Sequence, residues 1–189
     1  MKEILRQNII NRLGKIPINL DLVLDSFTEN RVKRNSIILM SGNICRNCYF
    51  LTNGSFKIVR TDASGVSNNV GLVFDQEWFT VIDSFKNRIP SQESIIAAED
   101  TDFLSLSLDE FNFLSQNIPE FNTVYRQMLE ESHSDFLNRV NNLMALDSLD
   151  RLKYFNKKYP FALGRVNGKE IASHLGMTPE TLSRLRTKI

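Results

Sequence analysis

From Val32 to Leu106 the chain alternates short apolar runs with turn residues, in "SIILMSGN", "CYFLTNGSFKIVRTDASGVSNNVGLVF" and "SIIAAEDTDFLSLS". Runs of this length, rich in β-branched and aromatic residues and bounded by Asn, Asp and Gly, predict β-strands. Asn53-Gly54, between "CYFL" and "SFKIV", predicts a two-residue type I′ hairpin, because both central residues of that turn need positive φ. Asp62 to Gly65 predicts a second turn of the same kind, and Glu99 to Asp102 a further hairpin tip. Many short strands joined by regular turns predict a small antiparallel barrel or jelly roll.

Beyond the strands the period changes. Ser107 with Glu110 forms the S-x-x-E capping box and predicts a short helix through Gln116, after which Pro119 opens a longer one reaching about Leu146. Phe121, Val124 and Met128, then Phe136, Val140 and Leu143, recur along it at three- and four-residue steps. One part of this stripe must face the roll. A long helix leaving a compact roll is hard to bury within one subunit, so the rest predicts a seam with a second copy.

The last stretch, "GKEIASHLGMTPETLSRLRTKI", predicts two helices meeting at a tight turn, with Ile171, Leu175, Leu182 and Leu185 inward. Ala172 is small where the helices approach, Gly176 can end the first helix in the left-handed conformation, and Thr178 can cap the second, which Pro179 begins. This is a helix-turn-helix pattern, whose second helix enters the major groove. Thr178, Glu180, Thr181, Ser183 and Arg184 stand where base edges are read. Arg184 can donate two hydrogen bonds to guanine and Glu180 can accept from the cytosine amino group, while Lys169, Arg186 and Lys188 suit phosphates.

Charge strengthens that picture. The net charge of the 189 residues is only +1, but residues 151–189 hold 9 Lys/Arg against 2 Asp/Glu, and residues 1–150 hold 14 against 20. A short basic end on an acidic body fits binding to nucleic acid. With 42% hydrophobic residues, the chain can bury one good core plus a small appended module. No stretch approaches the roughly 18 apolar residues of a membrane span, and the amphipathic N-terminus is unlike a signal peptide, so the expected location is cytoplasmic, with no membrane partner. Cys45 and Cys48, as "CRNC", have no second half with which to build a zinc site, and read as strand-flanking thiols. The roll region contains no histidine for cupin-type metal chemistry, and no nucleophile elbow, P-loop or Rossmann glycine pattern is present, so no enzyme activity is expected.

A roll, a long helix and a C-terminal helix-turn-helix in that order resemble the Crp/Fnr transcription regulators, the group of the catabolite activator protein. The resemblance rests on "YFLTNGSFKIVR", on "NLMALDSLDRL" from Asn142, and above all on "KEIASHLGMTPETLSRLR". It implies an α+β chain with a cyclic nucleotide-binding-like β-roll over residues 1–118, a dimerisation helix over 119–147 and a helix-turn-helix domain over 148–189, without the usual wing after the recognition helix. It further implies a homodimer reading a palindromic operator through Glu180 and Arg184, with double-stranded DNA, a second copy and RNA polymerase as partners. An effector pocket would lie near Phe74, Glu77, Trp78 and Gln92, under Phe136 and Leu137 of the long helix. Gln92 is neutral where the family's cyclic-nucleotide members hold the phosphate with arginine, and Phe136 and Leu137 are apolar where the base needs partners, so cyclic AMP is not expected. Two cysteines cannot supply the four that hold an iron–sulfur cluster in the oxygen-sensing branch, while haem stays open without a residue pattern to support it; the expectation is no cofactor and an effector of unknown identity. The competing reading is a sensor or interaction module that has lost sequence-specific DNA binding.

Overall fold

Along the central strands, residues that pack between two sheets alternate with residues that face the flanking helices, and this sorts the middle of the chain into two layers. The computed structural model describes residues 1–62 and 64–189. Helices α1 (Lys2–Leu13) and α2 (Leu20–Asp25) lead into strands β1 (Thr28–Val32), β2 (Ile37–Leu39), β3 (Asn47–Asn53), β4 (Phe56–Thr61), β5 (Ser67–Val73) and β6 (Trp78–Phe79). Helix α3 (Ile82–Asn87) precedes β7 (Glu93–Ala97) and β8 (Thr101–Ser107). Then come α4 (Leu108–Asn117), α5 (Pro119–Ala145), α6 (Ser148–Lys158), α7 (Ala162–Arg165), α8 (Gly168–His174) and α9 (Pro179–Arg186). The strands form two four-stranded antiparallel sheets, in the orders β1-β8-β3-β6 and β2-β7-β4-β5, the jelly-roll-like form of the predicted roll.

Phe79 and Phe103 of the first sheet meet Phe56 of the second, at ring-centroid distances of 5.1 and 5.3 Å, and Tyr49 packs on both Phe79 and Phe103. Phe50, the next residue on β3, points to the opposite face and packs on Trp78 at 5.1 Å. Trp78 in turn donates its indole N–H to Asn8 Oδ1 of α1 at 3.1 Å. Each of these buried rings contributes about 1.5–3 kcal/mol of transfer free energy, which is why β3 is covered on both faces.

Two predicted hairpins are sheet crossings instead. β3 and β4 belong to different sheets, so Asn53-Gly54 is a corner; Gly54 alone of the two has positive φ, at +114°. A Cβ on Gly54 would lie 2.5 Å from Thr101 Oγ1 and 2.9 Å from the Asp100 carbonyl oxygen. Glycine is needed because a second corner abuts it. That second corner is Glu99 to Asp102, which carries the chain from β7 in one sheet to β8 in the other rather than closing a hairpin. The β4–β5 connection is a true hairpin, closed by Asp62 N–H to the Val66 carbonyl at 3.0 Å, with Gly65 at φ +83°. It is longer than the expected two-residue turn, and Ala63 within it lies outside the described residues.

The capping box forms as predicted: Ser107 Oγ accepts from Glu110 N–H and Glu110 Oε2 accepts from Ser107 N–H, both at 3.2 Å. Pro119 opens α5 at its first turn. The predicted stripe on α5 divides in two. Phe121, Val124 and Met128 are buried against α4 and the roll of the same chain, so they cannot contribute to a seam between copies. Phe136 is 60% exposed and Leu143 36% exposed, with Val140 half-buried between them. The helix outruns α4 and the start of the roll, and its far half meets β5 and the C-terminal helices along one edge, through Arg139 and Leu143. No described helix is long and apolar enough to cross a membrane.

Candidate nucleic-acid interface

The two C-terminal helices are set by local chemistry at each end. Asn167 Oδ1 caps α8 by accepting from Lys169 N–H at 2.9 Å. The helix ends as Met177 N–H bonds back to the Ala172 carbonyl at 3.0 Å, with Gly176 in the left-handed region at φ +63°. A Cβ there would also stand 2.9 Å from Leu143 Cδ2 of α5. Thr178 Oγ1 then accepts from Thr181 N–H at 3.2 Å, and Pro179 starts α9. Ile171, Ala172, Leu175, Leu182 and Leu185 are buried with Leu152 and Phe155 of α6.

That packing turns the other side of α9 outward. Glu180, Ser183 and Arg184 are exposed, at spacings that place them on one face. Thr178, Lys169 and Lys188 are exposed around them, and Thr181 is half-buried. Arg186 is exposed but donates to the Leu163 carbonyl at 3.3 Å, so part of its guanidinium is engaged within the unit. The Glu180 carboxyl is held below its ordinary range, chiefly by its own backbone amide at the helix start and then by the Thr178 hydroxyl. The face therefore presents one carboxylate and one guanidinium a helical turn apart.

The unit is docked on the roll through β4, β5 and the turn that follows β5, which includes Phe74 and Glu77 of the expected effector pocket. Leu72 and Phe74 complete its core, and the Phe74 ring lies 4.6 Å from Tyr159 and 5.3 Å from Phe161. Glu77 accepts from Tyr159 Oη at 2.9 Å and from Phe74 N–H at 3.0 Å, and burial pushes its carboxyl above the usual range. Lys57 of β4 pairs with Glu170 of α8 at 2.6 Å, and Asn69 N–H of β5 donates to Ser173 Oγ at 2.9 Å. Arg139 of α5 bridges the carbonyls of Asn69 and His174 at 3.3 and 3.2 Å.

Within this chain the six residues of the expected effector pocket do not converge. Phe74 and Glu77 face α6 and α7, Trp78 faces α1, Gln92 is on the surface, and Phe136 and Leu137 stand exposed on the far half of α5. The physical reason is that β5 ends at the foot of the C-terminal unit, so the side chains that follow it are covered by that unit and not by a ligand. Near Gln92, the buried Ser91 Oγ donates to the Glu93 carbonyl at 2.7 Å and the buried Ser84 Oγ donates to the Ile89 carbonyl at 2.6 Å. Arg88 is exposed and 3.6 Å from Asp109, while Lys86 lies 4.0 Å over the Phe111 ring, pointing toward α4. A cyclic phosphate would need a cation and free donors there. The hydroxyls are used by the protein and these two cations face elsewhere, so the residues present do not fit a cyclic nucleotide.

Cys45 and Cys48 are free thiols, both buried, and burial pushes the Cys48 thiol up to about 12, so Cys48 offers no ready thiolate. A polar groove of about 820 Å³ lies outside the roll between α1, α5 and the end of α6, lined among others by Arg12, Gln127, Glu131 and Lys158. Among the described residues no three His, Cys, Asp or Glu side chains gather as metal ligands.

Residues 29–117 match the family model of the cyclic nucleotide-binding domain. No curated protein matches the chain in sequence. Among solved structures, the chain is similar to the catabolite activator protein of Thermus thermophilus, at 21% identity and TM-score 0.59 over 96% of this chain and 85% of that one. It is similar to CLP of Xanthomonas campestris, described as a c-di-GMP-responsive global regulator, at 16% identity and TM-score 0.70 over 95% and 89%. A chain from Eubacterium rectale, described as a candidate transcriptional regulator of the Crp/Fnr family, matches at 18% identity and TM-score 0.68 over 90% and 81%. With two antiparallel sheets, a long helix and a C-terminal helix pair, with these fold similarities over most of its length and with the domain match across the roll, the chain is Crp/Fnr-like in fold, built on a cyclic nucleotide-binding-type domain.

Proposed function

We propose that this protein is a DNA-binding transcriptional regulator of Crp/Fnr type, acting as a homodimer and catalysing no reaction. The roll (residues 1–118) is the regulatory domain, the long helix (119–147) carries the dimer seam through Phe136, Val140 and Leu143, and residues 148–189 form the helix-turn-helix. The observation that carries this reading is the outward face of α9. It sets Glu180 beside Arg184 on the segment that holds the chain's excess of basic residues. In a major groove, Arg184 donates its fork to guanine O6 and N7 and Glu180 accepts from the cytosine amino group of a neighbouring pair. Thr178, Thr181 and Ser183 offer hydroxyls along the same edge, and Lys169 and Lys188 neutralise phosphates, with Arg186 contributing the part of its guanidinium that Leu163 leaves free.

The effector, if the roll takes one, is not a cyclic monophosphate bound in the interior, for want of a cation and free donors. Selection of operators from a random duplex library, followed by salt titration, tests the whole reading. Arg184→Ala is expected to cost about 1–3 kcal/mol per half-site and to relax preference at one base position. Lys188→Ala is expected to weaken all sequences alike and to flatten the salt dependence. Unchanged affinity and base preference in Arg184→Ala would remove it as the reader. Wild-type protein that selects no sequence would favour an interaction module over a DNA-binding regulator.

A further inference from the structure

Arg165, the last residue of α7, is separated from α8 by two residues and reaches across to the roll. Its Nε donates to Glu99 Oε1 at 3.1 Å and its Nη1 to Asp75 Oδ2 at 2.5 Å. Its Nη2 donates to the Gly54 carbonyl at 2.7 Å, with Glu99 Oε1 at 2.8 Å and Asp75 Oδ1 at 3.2 Å also within reach. The guanidinium carbon lies 5.1 Å from the centre of the Phe161 ring. Gly54, Asp75 and Glu99 come from three different connections of the roll: β3 to β4, β5 to β6, and β7 to β8.

The receptor is assembled by the roll itself. Asp75 Oδ1 also accepts from Gly54 N–H at 2.7 Å, and Glu99 Oε1 from Ser55 Oγ at 2.8 Å. The fully buried Ser55 accepts at its carbonyl from Ala98 N–H at 2.9 Å. Each acceptor is therefore oriented by a partner within the roll, independent of Arg165. The apolar contact through Phe74 is non-directional and would tolerate a range of tilts. A planar fork held by two carboxylates and a carbonyl tolerates few.

We propose that Arg165 is a positioning residue for DNA reading: it sets the angle at which α9 is presented relative to the roll, and so the half-site spacing that the dimer accepts. This rests on the reading of the chain as a DNA-binding homodimer. The roll and α5 define the dimer frame, and the lever from Arg165 to α8 is only Val166 and Asn167 long, with α8 packed on α9. Lys57–Glu170 and Asn69–Ser173 hold α8 against β4 and β5, and the Arg165 fork, clamped at three connections of the roll, completes the set that fixes the separation and rotation of the two reading helices. A half-site displaced by one base pair turns by roughly a tenth of a helical turn and no longer meets its helix.

The test measures affinity for one selected operator and for versions with one or two base pairs added or removed between its half-sites. Wild-type protein is expected to prefer one spacing by about tenfold or more, and Arg165→Ala by less than about threefold, with the preferred base in each half-site unchanged. Arg165→Lys, which keeps the charge and loses the fork, should fall between them. Because Arg165→Ala leaves Asp75 and Glu99 facing each other without a cation, the triple variant Arg165→Ala, Asp75→Asn, Glu99→Gln is measured beside it and should behave alike. Spacing selectivity equal to wild type in both variants would overturn the role of Arg165 and leave the DNA-binding reading standing. So would loss of the folded helices in both, by circular dichroism, since Arg165 would then be a residue of the fold. Wild-type protein that selects no operator would instead overturn the DNA-binding reading, and this proposal with it.

Discussion

Phe74→Ala separates the two cores of the molecule. The side chain is 1% exposed and belongs to the cluster of the C-terminal unit although it is attached to the end of β5. Truncating a buried Phe costs about 3–5 kcal/mol through lost transfer free energy and the cavity left behind. The pairs with Tyr159 and Phe161 put this site in the upper part of that range, because each aromatic pair adds about 0.5–1.5 kcal/mol beyond area. The loss should fall on docking and closure of α6 to α9, while the roll keeps its own aromatic core around Phe56 and Phe79. Amide hydrogen exchange under native conditions reads this directly. About 4 kcal/mol corresponds to roughly a thousandfold faster exchange, expected at amides of α6, α8 and α9, with β3 and β8 protected as before. Wild-type protection in α6 to α9, together with faster exchange in the strands, would refute the assignment and place Phe74 in the roll's core.

Gly54→Ala should destabilise the protein by more than about 3 kcal/mol in urea unfolding, since the added methyl meets backbone as well as Thr101 at a positive φ; a loss under about 1 kcal/mol would mean the two corners do not abut. His174 is held neutral, mainly by burial and then by Arg139 and Lys158, with its pKa down to about 3. Below about pH 6.5 the unfolded chain takes up a proton that the folded one refuses, so stability should fall between about pH 6.5 and pH 3. By pH 5 the loss from this group is about 2 kcal/mol, and it should be missing in His174→Asn; equal urea midpoint shifts for both proteins between pH 7.5 and 5 would contradict this. Phe136→Asp should produce folded monomers in sedimentation at tens of micromolar, whereas Phe121→Asp should lose the fold. A Phe136→Asp protein that remains dimeric would place the seam elsewhere.

The capping box at Ser107, the start of α5 at Pro119 and the turn from Gly176 to Pro179 were all legible in the sequence, because the groups that make each of them lie within a few residues of one another. So was the existence of strands, and with it the roll, since period and turn residues are local properties. The partners of those strands were not. Asn53-Gly54 marks a turn correctly, but nothing in the dipeptide says that the next strand enters the other sheet, and the reason for glycine there is the approach of Thr101 from a distant connection. The stripe on α5 has one period throughout, yet Met128 is buried and Phe136 is exposed, because burial depends on where the roll ends beneath the helix.

The candidate reading face followed from sequence, since the inward positions of α8 and α9 dictate the outward ones. The candidate effector pocket did not, and Arg165 carried no signal at all: a lone arginine in "FALGRVNG" acquires its role only when three turns of the roll bring Gly54, Asp75 and Glu99 to one point. By itself the sequence determined helix ends, strand periods and the polarity of α9, which are set by bonds and side chains within one or two turns of chain. Which strands share a sheet, which core Phe74 completes and how the C-terminal unit is held were decided by the tertiary structure, because burial and ion pairing are fixed by whichever distant segments the packing places alongside.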